Sequence, residues 1–352
     1  MISKLSLAEK PKKRIATLDL VRVVAIILVI LTHAREVAGP YEHNELFNII
    51  GYSIDRNGVP LFFFLTGALV LTKAHTFPIL SFYKKRIPQY LLCLFVYSFL
   101  TNAVYQFTLG NKSLADAVLA GLHTNGFVGA NIGVAHQLWF MYLIIGIYLI
   151  IPFLARLLNQ LTFHQILIFL ALALFSGAFQ LSFPNATTPF IGRLEKNLLG
   201  EVLPYFIFGY LIQRFNVRIK TSGGAILITA ISIPTLISFD FFEIICGYRP
   251  EWHWYHTSIP IMITSSCLFV LIISLSIQSL PKIYENISRF SFGMFLTHFI
   301  FLYLAKYFWF SVLALGNHPV RGAVFLFCFS FLCSYATVKF VSKIPFIKKL
   351  VI

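Results

Sequence analysis

The stretch Thr17–Ala34, TLDLVRVVAIILVILTHA, decides the fold class, because it carries three ionisable residues inside an otherwise apolar run long enough to cross a bilayer. Asp19, Arg22 and His33 are three and eleven residues apart. At about 3.6 residues per turn they share one stripe of a helix. A charge facing lipid costs at least ~2.5–3.5 kcal/mol, so this stripe is expected to face protein or water. Arg22 and His33 lie about 16 Å apart along the axis at ~1.5 Å per residue, which suggests a polar path through the membrane.

The composition of the whole 352-residue chain fits that reading. The chain is 58% hydrophobic and 12% charged, with a mean hydropathy of +0.80. That is too apolar for a soluble domain. Successive runs able to cross ~30 Å of hydrocarbon fall at 17–34, 49–71, 88–107, 137–157, 164–181, 200–213, 223–239, 257–279, 287–308 and 320–341. The expected fold is an all-α polytopic membrane protein of about ten helices in one domain, 1–352, with no linker, repeat or low-complexity tract to divide it. The second run holds Gly58 and Pro60, which predicts a break near Pro60.

A net charge of +15 raises the question of nucleic acid, but the charge is distributed as membrane topology demands. Nineteen Lys and Arg fall on the side of the N-terminus and eight on the other, with Arg22 inside the first run. Ten of thirteen acidic residues take the opposite side. Both termini, 1–16 and 342–352, are therefore expected in the cytoplasm, and a nucleic-acid partner is not. The five cysteines show neither metal spacing nor a disulfide framework, so no metal is expected. The basic start lacks a small-residue cleavage site, and Asp19 and Arg22 interrupt its apolar core, so it reads as an uncleaved first helix.

His33, at the outer end of the first run with Asp19 below it, is the candidate general base, since an imidazole titrates near neutrality, or the first acceptor of the acyl group, and the sequence does not distinguish the two routes. Arg22 suits phosphate, because a guanidinium matches its geometry. Lys84, Lys85 and Arg86 in FYKKRIPQY add cations just before the third run on the same side. A structural Asp19–Arg22 pair and a positive-inside anchor are the plainer readings of these two features. Asp55 and Arg56 precede the broken second run. His136, Trp139 and Tyr142 open the fourth, where an interfacial aromatic belt is the plainer account, and His298 lies within the ninth. The longest outer connections, about 111–136, 184–199 and 247–256, are candidate acceptor contacts.

Five segments, LDLVRVVAIILVILTHA, VPLFFFLTGALV, FYKKRIPQYLL, LWFMYLIIGIYLIIPFL and ISRFSFGMFLTHFIF, follow one another from the first run to the ninth. In that order they resemble the successive signatures of membrane acyltransferase family 3, in its short, single-domain form. The resemblance implies acyl-CoA arriving from the cytoplasm and transfer to a carbohydrate hydroxyl on the outer side of a bacterial cytoplasmic (inner) membrane. By motif, Arg22 and His33 match the family's Arg and His of the first helix, Arg86 its basic residue after the second, and Arg56 the Arg that often precedes VPLFF. The family often has His two residues before the fourth-helix Trp; here that position is Gln137, with His136 one place earlier. The Glu of longer members is missing from LWFMYL, which leaves Glu201 as an acidic candidate.

The reading is an O-acyltransferase moving an acetyl group from acetyl-CoA to a cell-surface glycan or lipid-linked saccharide. His33 and Asp19 are its catalytic candidates, and Arg22, Arg86, Lys85 and Lys84 its donor site. Arg56, Trp139, Tyr142, Glu201 and His298 are its acceptor contacts. The rival is a transporter exporting a polysaccharide or acylated intermediate, which a polar track through ten helices would also suit.

Overall fold

A computed structural model describes residues 15–38, 45–124, 126, 131–175, 202–218, 222–245, 258–316, 318–345 and 347–351. Among them the chain is helical throughout, with no strand. The elements are α1 (Ala16–Ala38), α2 (Glu45–Asp55), α3 (Gly58–Thr66), a π turn (Gly67–Leu71) and the single turn α4 (Thr72–Ala74). They continue with α5 (Ile79–Thr108), α6 (Leu114–His123), α7 (Trp139–Gln160), α8 (Phe163–Leu174), α9 (Leu203–Arg214) and α10 (Ser222–Ile245). The last three are α11 (Ile259–Ser274), α12 (Lys282–Tyr307) and α13 (Pro319–Val341). Every expected run carries a helix, and six stretches among the described residues are long and apolar enough to cross a membrane. The connections 184–199 and 247–256, and Glu201, lie outside the described residues.

Helices α1, α12 and α13 pack against one another, α3 packs on α1 and α5 on α12, and α13 keeps one face exposed with Val320, Val324 and Leu332. In α1 the inward face is Val21, Ala25, Ile26 and Ile30, each fully buried. Several hydroxyls that packing removes from water are satisfied within their own helices, while Ser330 of α13 donates across to the His298 carbonyl of α12 at 2.9 Å. Thr32 donates to the Leu28 carbonyl at 3.0 Å, Thr297 to that of Gly293 at 2.9 Å and Ser265 to that of Ile261 at 2.6 Å. Back-bonding of this kind lets polar residues sit at helix contacts in an apolar medium.

The second span is broken, but not at Pro60. Its helix stops at Asp55, and the two-residue turn Arg56–Asn57 separates α2 from α3. Pro60 falls in the first turn of α3, where its missing N–H costs no bond. Asn57 explains the position of the break: its side-chain amide donates to the carbonyls of Ser53 and Ile54, both at 3.0 Å, closing the open end of α2. A π turn then follows at Gly67, where the backbone meets α9. A Cβ on Gly67 would lie 2.1 Å from the Phe206 carbonyl oxygen, and one on Gly209 would lie 2.1 Å from that of Phe64. The two glycines thus let two backbones touch reciprocally. Gly209→Ala should destabilise the protein by about 1–3 kcal/mol, because the obstacle is backbone and cannot rotate away. Thermal unfolding in detergent checks this, and an unchanged midpoint would contradict the close contact.

Three further boundaries differ from expectation. FYKKRIPQY lies inside α5, which begins nine residues before Pro88, rather than preceding it. Within the connection expected at 111–136, α6 forms an amphipathic helix. The Ser113 hydroxyl accepts from the Asp116 amide at 3.2 Å, Ala117 and Gly121 are buried, and Leu114, Leu119 and Leu122 are exposed. The residues after Val341 are not a free tail. Their carbonyls at Lys349 and Leu350 accept from Gln89, at 2.8 Å, and Tyr97, at 3.1 Å, on α5, and Val351 is buried.

Candidate functional site

Two polar groups of α1 are held at opposite ends of the helix. At the basic end, Asp19 is buried and accepts from Arg22 Nη1 at 3.0 Å and from Ser288 Oγ of α12 at 2.7 Å. Asp19 is thus a ligand of Arg22, about 21 Å along the helix from His33 at ~1.5 Å per residue, and it shares no contact with the imidazole. Arg22, with its side chain 31% exposed, turns into a cavity of about 660 Å3. Lys73, Lys85, Arg86, Gln89 and Tyr90 contribute to the same walls. Lys84 is exposed and does not line it. Successive residues of a helix point about 100° apart, so Lys84 and Lys85 cannot serve one cavity equally.

The cavity walls also include Phe140 and Phe295, whose rings meet edge to face at 5.0 Å. Phe295 lies 5.8 Å from the ring of His298, and His298 stacks on His33 at 5.4 Å. One aromatic layer therefore separates the basic cavity from a pair of imidazoles. Phe299 closes the pair, with its ring edge-on to His33 at 4.8 Å. His298 is fully buried, and its Nδ1 donates to the Phe295 carbonyl at 2.6 Å. That bond leaves Nε2 as a bare acceptor, and among the described residues nothing donates to it.

Around His33 stands a cage of charges. Its Nδ1 lies 2.8 Å from Glu36 Oε2, and the other oxygen of Glu36 accepts from Arg56 Nη2 at 2.6 Å. Arg35 Nε donates to Asp55 Oδ2 at 2.6 Å in a pair that is almost wholly buried. Both guanidiniums pack over the Tyr52 ring, with Arg35 Cζ 4.4 Å and Arg56 Cζ 4.5 Å from its centre. Gly51 makes room, since a Cβ there would lie 2.1 Å from Arg35 Cζ.

The other expected acceptor contacts are spread out. Tyr142 donates its hydroxyl to the Gly126 carbonyl and so anchors the connection before α7. Trp139 is half-buried, 6.2 Å from the Phe140 ring. His136 stands beyond Phe299, at 6.4 Å from that ring, while Gln137 is buried with its amide toward the Leu296 carbonyl at 3.5 Å. Sequence reasoning missed Lys73 in the cavity and Glu36 at the imidazole. The second had a local signal, the i, i+3 spacing of His33 and Glu36.

A family model described as an acyltransferase domain matches residues 15–339. Among curated proteins and among solved structures, nothing matches the chain.

Proposed function

Because the chain belongs to membrane acyltransferase family 3 and is thereby a membrane acyltransferase, we propose that it carries an acetyl group from cytoplasmic acetyl-CoA to a hydroxyl of a cell-surface glycan or lipid-linked saccharide. The observation that carries this reading is the alignment of a cavity lined by four cations with a histidine pair one aromatic layer beyond it. A volume of about 660 Å3 lies within the range of sites for molecules of this size. Arg22, Lys73, Lys85 and Arg86 supply charge for the phosphates of coenzyme A, and Asp19 holds Arg22 for that task. The pantetheine arm runs inward past Phe140 and Phe295 to present the thioester.

At the far end His33 takes the proton of the acceptor hydroxyl as its oxygen attacks the thioester carbonyl; the C–S bond breaks, and the departing coenzyme A thiolate takes that proton from the imidazolium. His298, fully buried behind it, backs the ring of His33 by stacking. The excess of Lys and Arg at the cavity end favours placing that end, with both termini, in the cytoplasm of a bacterial inner membrane, with about ten spans.

Membrane vesicles containing the native acceptor test chemistry and sidedness together. Radiolabelled acetyl-CoA should acylate saccharide in inverted vesicles but not in right-side-out ones. Equal incorporation in both would overturn the sidedness. No incorporation above membranes lacking the protein would overturn acetyl transfer from this donor.

A further inference from the structure

We infer that Glu36 is the positioning residue of this site and that Arg56 acts through it, as a clamp on its second oxygen rather than as a contact to the acceptor. The inference rests on the reading of His33 as the proton acceptor. A carboxylate offers only acceptors, so the 2.8 Å contact places the imidazole proton on Nδ1 and leaves Nε2 with its lone pair free. The contact joins residues one turn apart on α1, and by itself Glu36, about a quarter exposed, could swing to solvent. Arg56 prevents this from a different element: it sits in the turn between α2 and α3 and reaches Glu36 Oε1 at 2.6 Å.

The turn is itself fixed. The residue before it, Asp55, is buried and bonded to Arg35 of α1, and the Tyr52 ring packs against both guanidiniums. The chain of contacts Asp55–Arg35, Tyr52, Arg56–Glu36, His33 ties the orientation of one ring to the packing of α1 on α2. The titratable and charged groups around the ring are Glu36 and Arg35 on its own helix, Tyr52, Asp55 and Arg56 from the α2 side, and His298 from α12. His136 stands across Phe299.

Charge then gives the two partners opposite signatures. Glu36→Gln removes an anion that favours the imidazolium, so the acid limb of the rate profile should move to lower pH. Arg56→Gln removes a cation while the carboxylate remains, so the limb should move to higher pH. In E36Q, kcat should fall roughly 10- to 100-fold with little change in KM for acetyl-CoA, as when a partner that orients a histidine is lost. In 15N-histidine spectra the wild-type His33 should hold its proton on Nδ1, and E36Q should show the Nε2-protonated form as well.

Glu36→Asp keeps the charge but is one methylene short, so it should restore the limb without restoring kcat. Should E36Q not fold, R56Q tests the direction of the shift and E36D the loss of kcat, and an E36D enzyme of wild-type kcat with an R56Q limb that does not rise would overturn the role of Glu36. An E36Q enzyme with unchanged kcat, limb and spectrum, or a limb that moves the same way in E36Q and R56Q, would overturn the role of Glu36. Full activity in a His33 variant would instead overturn the reading on which it rests, and the spectra distinguish the two failures because they need no turnover.

Discussion

His33→Ala should lower acetyl transfer by about 10²–10⁴-fold, the usual contribution of a positioned acid or base. The fold should survive, because the side chain of His33 stands at the end of the helix core against His298 and Phe299 and is still 14% exposed, while the packing of α1 depends on Val21, Ala25, Ile26 and Ile30. Binding of coenzyme A should survive as well, since the cavity is lined from Arg22 to Phe295 and does not reach the imidazole. The measurement is a single-turnover assay on purified protein together with calorimetric titration by coenzyme A. Loss of both activity and binding would point to misfolding. Loss of activity alone is the expected result, and transfer within a few-fold of wild type would refute the proposed chemistry and turn attention to His298.

The parts of this site that were legible in the sequence are those written along one helix. Arg22 and His33 were found because their spacing obeys helical geometry inside an apolar run, and the structure places them at the two ends the spacing implies. Asp19 was legible as the partner of Arg22; it was also taken as a catalytic candidate beside His33, and the structure sets it at the other end of the helix, bonded to Arg22 and Ser288. Glu36 was counted only as an outer-side charge, even though its i, i+3 relation to His33 was visible.

What could not be read is what depends on how helices fold against each other. Arg35 and Asp55 are twenty residues apart, and so are Glu36 and Arg56. Both pairs need α2 to lie along α1, and no local periodicity specifies that. The break in the second span shows the same limit on a smaller scale. Gly58 and Pro60 marked its neighbourhood, yet its position follows from the carbonyls that the Asn57 amide closes. Lys73 escaped notice because it is an isolated cation at the end of an apolar run, and only the approach of α5 and α7 makes it part of a cavity wall.

The donor end carries the second large effect. Arg86→Ala should weaken coenzyme A binding by roughly 10- to 150-fold, which corresponds to the ~1.5–3 kcal/mol of a lost hydrogen bond to a charged group. Arg86 is the cleaner of the two arginines to remove. Arg22 also neutralises Asp19, a carboxylate with only 5% of its side chain exposed, and taking away its cation would leave a buried charge as well as an emptier site. For that position Arg22→Lys is the better probe, because it keeps the charge beside Asp19 but gives up the planar, two-pronged contact to phosphate. It should bind coenzyme A more weakly than wild type and remain as stable in thermal unfolding. Lys84→Ala, on the exposed side of α5, should change binding by less than two-fold. Raising the salt concentration should weaken wild-type binding more than binding to Arg86→Ala, since fewer charges remain to be screened in the variant. Unchanged affinity in both Arg86→Ala and Arg22→Lys would mean that the phosphates lie elsewhere, and the cavity would then have to be read as something other than the donor site.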